Sequence, residues 1–169
     1  MKALPALVAV CFGFAVTPAL AQTPPVQAAP APAPVAAPPY GLPIGLADAQ
    51  ALIDRAMAEA ARSGFRMAIA VVEPSGELVA FARMDDTQYG SIFVAQRKAE
   101  YAARYRLPTA VAEERVQAGR VVSLANPEAF TIGGGIPIVR DGKIVGAIGV
   151  SGATAAQDAA VAEVALAGN

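Results

Sequence analysis

Apolar positions from Leu46 onward recur every three or four residues, through Ala49, Ile53, Ala56, Met57 and Ala60, and Gly64 follows them. That spacing predicts an amphipathic helix stopped by glycine, with Asp48 in the first turn, where it complements the helix dipole. The period then shortens. Met67 to Glu73 and Leu78 to Met84 predict two strands joined by the turn cluster Pro74-Ser75-Gly76-Glu77. Ser91 to about Arg106 returns to helical spacing, with Ile92, Ala95, Ala99, Ala102 and Ala103 on a small-residue face. Leu107 stands before Pro108, which ends that helix, and Thr109 opens a shorter one that runs to about Gly119. The apolar run Val121 to Leu124 and a loop through Asn126-Pro127 lead into the closing segment.

That segment is a glycine-rich entry at Gly133-Gly134-Gly135, a hairpin, and a helix that starts on a Ser-Gly turn. Asp141-Gly142 lies between two apolar runs and suits the positive φ angles of a type I′ turn. Thr154 and Gln157 have the spacing of a capping box for the last helix. The predicted order is therefore α-β-β-α-α-β-β-α, which favours an α+β fold with an antiparallel sheet and helices packed on it, rather than a doubly wound parallel sheet.

The N-terminal part has a different character. Lys2, the apolar stretch Leu4 to Val16 and Ala19-Leu20-Ala21 predict a signal peptide over residues 1–21, cleaved before Gln22. Pro5 and Pro18 bracket a run too short for a membrane span, which needs about 20 apolar residues. Residues 22–41 are a Pro/Ala-rich linker, and residues 42–169 form one domain with length enough for a real core. Export is the expectation, to the periplasm or beyond. The single cysteine, Cys11, would leave with the leader. A formal net charge of −1 argues against nucleic acid as the partner.

The chain has no histidine, which removes the Ser-His-Asp triad, HExxH zinc sites and imidazole haem ligation. Gly149-Val150-Ser151-Gly152-Ala153 has the outline of a nucleophile elbow, but nothing ordinary would activate Ser151, so it reads as a turn or cap residue. Asp85-Asp86 reads as a solvated turn rather than a metal site, because hard cations want several oxygens.

Two candidate sites remain. One pairs Gly134 and Gly135 with Ser151 and Gly152, where backbone can approach a ligand and the start of the last helix favours an anion. The alternative is that these glycines only solve backbone geometry. The other is the helix from Arg97 to Arg106, where Lys98, Tyr101 and Tyr105 at i, i+3 and i+7 can share a face. A flat apolar ligand with carboxylates would find rings to stack on and cations to pair with. The alternative is a solvated helix face with packed tyrosines.

The run Gly135-Ile136-Pro137-Ile138-Val139-Arg140-Asp141-Gly142 through Gly149-Val150-Ser151-Gly152, followed by Gln157-Asp158, resembles the GlcG/HbpS-like family, also known as the haem-degrading domain. Lys98, Ala99, Ala102, Arg106, Pro108 and Thr109 match a second family run, and Arg83-Met84-Asp85 a strand end, so the likeness covers nearly all of residues 46–165. Tyr101 departs from it, standing where the family often has a small hydroxyl residue. The resemblance implies a profilin-like α+β fold, haem as the ligand (bound, or in some members degraded) and assembly as a homo-oligomer. It shifts the expectation toward an exported haem-binding, sensing or scavenging module. The alternatives are an enzyme for oxidative haem degradation or for a small carboxylate, and a structural oligomer without ligand. If haem binds, the mature chain offers neither imidazole nor thiolate, and Tyr101 becomes the first choice of iron ligand, with Met84 and Thr109 as alternative ligands and stacking without ligation as the other reading. Arg97, Arg104 or Arg106 would then lower the Tyr101 pKa and meet the haem propionates.

Overall fold

The computed structural model describes residues 36–168. The predicted signal peptide and most of the Pro/Ala tract lie outside them. The elements are α1 (Leu46–Arg62), β1 (Ala68–Val72), β2 (Leu78–Arg83), α2 (Gly90–Tyr105), α3 (Thr109–Gln117), a short 3-10 helix (Val121–Ala125), β3 (Gly135–Arg140), β4 (Lys143–Ser151) and α4 (Ala155–Ala167). The strands form one sheet in the order β2-β1-β4-β3, with every neighbour antiparallel. The α+β expectation and the order of elements both hold. The Val121–Leu124 run is the 3-10 helix, and its large apolar residues are exposed.

Local chemistry fixes the ends of the elements. Asp141 (φ 50°) and Gly142 (φ 71°) both take the left-handed conformation that a type I′ turn requires. Thr154 accepts from the Gln157 backbone N–H while the Gln157 side chain accepts from the Thr154 N–H, a full capping box.

The sheet is covered on both faces. On one, Leu52, Ile53, Ala56 and Ala60 of α1 meet Val161, Ala162 and Ala165 of α4 over Met67, Ile69, Val71, Ile148 and Val150. Leu52, which the apolar spacing from Leu46 does not single out, is fully buried, whereas Leu46 in the first turn stays 55% exposed. The inward stripe is thus 49, 52, 53, 56 and 60, a regular i, i+3, i+4 series. Each fully buried Leu or Ile of this layer contributes about 1.5–3 kcal/mol relative to exposure.

On the other face α2 lies almost directly on the sheet. Its Ala95, Ala99, Ala102 and Ala103 pack on Ala68, Ala70, Val72 and Ala147. One register row runs Phe81–Ala70–Gly149–Gly135 across all four strands. A Cβ on Gly149 would come within 2.1 Å of the Ala95 carbonyl oxygen, and one on Gly135 within 2.2 Å of that of Lys98. The backbone that approaches these glycines is that of α2.

Contacts with the sheet begin before position 42. Ile144 donates its N–H to Pro39 O, and Gly41 donates to Ile144 O, both at 2.8 Å, so Tyr40 bridges to β4. The Tyr40 hydroxyl donates to the Arg104 carbonyl (2.8 Å) at the end of α2.

Candidate functional site

The residues singled out in the sequence separate into two places. Lys98, Thr109, Gly134, Gly135 and Ser151 come together where α2 and α3 meet the ends of β3 and β4. Lys98 is 1% exposed; its Nζ donates to Asp158 Oδ2 (2.7 Å) and to the Val150 carbonyl (2.9 Å). Asp158 Oδ1 accepts from the Ala153 N–H at 2.9 Å, so the carboxylate also ties down the turn before α4. Burial pushes the Lys98 pKa down, opposed by the hydrogen bond and charge of Asp158 and by the charge of Glu113. Thr109 is wholly buried and accepts from the Gly135 N–H (2.8 Å). It serves the glycine loop rather than capping α3, whose N-cap is Pro108. Ser151 Oγ meets Ser91 Oγ at 3.3 Å.

Around the glycines the chain itself fills the space. Gly134, at φ 116°, has Asp158 Cβ, Lys98 Nζ and Val150 O within 2.8 Å of where a Cβ would sit, and Gly152 has the Arg66 carbonyl at 2.2 Å. Beside this knot runs an open cleft of about 390 Å³ between α3 and the start of α4, lined by Glu113, Glu114, Gly133 and Thr154. Glu113 is engaged there, accepting from the Gly133 N–H at 2.8 Å.

The expected common face of Lys98, Tyr101 and Tyr105 does not form. Lys98 turns inward to Asp158, while Tyr101 and Tyr105 turn toward α3 and the 3-10 helix. Their rings stack at 4.4 Å between centroids with 17° between planes. They line a cavity of about 170 Å³ with Ala112, Arg115, Arg120, Ser123 and Asn126. Tyr105 is fixed at its hydroxyl, which donates to Glu128 Oε2 (3.0 Å) and accepts from Asn126 Nδ2.

The arginines differ from expectation. Arg97 pairs with Glu100. Arg104 pairs with Glu100 (2.7 Å) and Glu128 (3.0 Å) and donates to the Ser75 carbonyl. Arg106, left-handed at the α2 C-cap, lies over the Tyr40 ring at 5.4 Å. The cations beside Tyr101 are instead Arg115 and Arg120, which no helical spacing connects to it: α3 reaches α2 only through the reversal at Leu107-Pro108. The Tyr101 pKa is raised, not lowered, because burial and the neighbouring Tyr105 outweigh the charge of Arg115. Met84 packs against the α1 side of the sheet, and Asp85-Asp86 forms an exposed turn with Asp86 at φ 62°. Among the described residues no three His, Cys, Asp or Glu side chains are placed to hold a metal ion. No helix among them is long and apolar enough to cross a membrane.

Comparison with known proteins gives this geometry its setting. The family described as "Haem degrading protein HbpS-like" matches residues 44–167. Protein GlcG of Escherichia coli K12 is 42% identical over 103 residues, which are 61% of this chain and 77% of that protein. The crystal structure of HbpS superimposes with a TM-score of 0.70 at 26% identity, covering 76% of this chain and 91% of HbpS. A crystal structure of a PduOC–haem complex gives 0.68 at 26% identity, covering 76% and 96%. The chain, by its sequence and its fold, belongs to the HbpS-like family.

Proposed function

We propose that this chain is an exported haem-binding protein, acting as a sensing or scavenging module and working as a homo-oligomer. The observation that carries the reading is the stacked Tyr101–Tyr105 pair lining a cavity with Arg115 and Arg120, on a fold shared with a protein whose structure contains haem. Paired rings offer a flat face to a macrocycle, and the neighbouring 3-10 helix adds exposed Val121, Val122 and Leu124. The cavity is far smaller than the roughly 300–1,000 Å³ of an enclosing ligand pocket. The residues lining it would hold a side arm of such a ligand rather than enclose its ring.

Haem, if bound, would supply an iron centre, and Tyr101 would be the residue to hold it through its phenol oxygen. Its raised pKa keeps the phenol neutral in the free protein, so ligation would release a proton. The test is a haem titration of the purified chain beginning at Gln22. A saturable Soret change is expected, and Tyr101→Phe should remove the high-spin charge-transfer band while leaving the fold intact. Absence of saturable binding by the parent chain would overturn the reading. Export has its own check: mass spectrometry of the envelope fraction should find Gln22 as the first residue, and an intact Met1 there would defeat it.

A further inference from the structure

We propose that Arg115 and Arg120, with Tyr101, Tyr105, Ser123 and Asn126, form a receptor for a carboxylate borne on a flat organic group. The inference does not depend on haem being the ligand. It starts from the ion pairs. Arg62, Arg97, Arg104 and Arg140 each meet a carboxylate. Arg83 and Arg106 lie over the rings of Tyr89 and Tyr40, and Arg55 donates to the Ala165 carbonyl. Arg115 and Arg120 have no ion-pair partner among the described residues, yet both line the same cavity.

Two of the nearby acids are engaged elsewhere. Glu113 holds the Gly133 N–H, and Glu128 is held by Arg104 and the Tyr105 hydroxyl. Glu114 lines the cleft toward α4. Two arginines without an ion-pair partner in the lining of one small cavity invite an anion, and their planar forks match a carboxylate.

The other walls are ready for it. Asn126 is anchored, donating to the Tyr105 hydroxyl and accepting from the Glu128 N–H (3.0 Å), so it holds that ring without a ligand. The Tyr101 hydroxyl makes no hydrogen bond among the described residues, so for a free small acid it is a further donor. The stacked rings make one wall flat, which favours a planar substituent behind the carboxylate. A volume of about 170 Å³ takes a fragment, not a macrocycle. The carboxylate can come from a free small acid or from a propionate arm of haem.

Calorimetric or NMR titration with benzoate, benzamide, inorganic phosphate, haem and haem dimethyl ester separates these sources. If the receptor takes a free acid, benzoate binds, benzamide does not, and Arg115→Gln or Arg120→Gln weakens binding about tenfold or more. If it takes the propionate arm, haem binds, its dimethyl ester binds at least about tenfold less, and the same variants remove that difference. Arg115 and Arg120 are both exposed residues, so the variants should fold, as circular dichroism would check. Binding of phosphate in preference to benzoate and haem would overturn the carboxylate assignment. Equal affinities in parent and variants for every probe would overturn the site.

Discussion

At the scale of single residues, Lys98 shows how far a motif reads and where it stops. Its position is legible in the sequence, because it opens a run resembling the family pattern, but its direction is not. Lys98, Tyr101 and Tyr105 have compatible helical spacing. What separates them is Asp158, 60 positions away in sequence, which receives the ammonium group at 2.7 Å. A buried pair of this kind is expensive to break from one side, since the survivor is left charged and unpartnered. Lys98→Met or Asp158→Asn should each cost about 3–5 kcal/mol in urea unfolding, with the double change less costly than the sum of the two. Additive losses would argue that the pair is not coupled. Tyr101 permits a different test. Its folded pKa is raised, so its contribution is complete below the ordinary tyrosine value of about 10 and is lost as pH climbs through the folded value. Stability curves taken above pH 10 should fall less steeply for Tyr101→Phe than for the parent. Parallel curves would contradict the assignment of that ionisation to Tyr101.

At the scale of elements, most of the structure is readable because its signals are local. The Asp141-Gly142 turn and the Thr154–Gln157 capping box each depend on residues a few positions apart, and both form as written. Removing the cap hydroxyl in Thr154→Ala should cost about 1 kcal/mol, readable as a lower thermal midpoint without loss of ligand binding. The glycines of β3 and β4 are readable only in part. Sequence indicates that something comes close; the register row Ala70–Gly149–Gly135 identifies it as the backbone of α2. That contact is long-range, so no periodicity contains it. Gly149→Ala must push α2 off the sheet, at a cost of about 1–3 kcal/mol or more, and should lower the denaturant midpoint with the slope unchanged. An unaltered midpoint would mean that the helix can slide freely, against the close packing of Ala95 and Ala99.

At the scale of the whole molecule, three layers explain why the candidate site divides. The sheet separates α1 and α4 from α2, so Met84 and Tyr101 belong to opposite sides, although the sequence makes both of them candidates for one iron. Arg115 and Arg120 are not legible as site residues because only the packing of α3 and the 3-10 helix against α2 brings them in, and a charged residue on a short helix or in a connection carries no mark of its destination. The same layering leaves an apolar surface on the α2 side. Tyr89 is 80% and Phe93 64% exposed, four positions apart, and Phe93 meets Phe130 edge-on at 6.4 Å. Aromatic groups clustered in this way on a small domain are a common ground for self-association, and closed symmetric pairs are its usual form. Light scattering at micromolar concentration should therefore report a dimer or a larger assembly. Phe93→Asp should shift it toward monomer with the circular dichroism spectrum preserved, because a desolvated carboxylate at the centre of an interface is costly. A parent chain that stays monomeric across that range would rule out the homo-oligomer, and an assembly indifferent to Phe93→Asp would move the interface to another face.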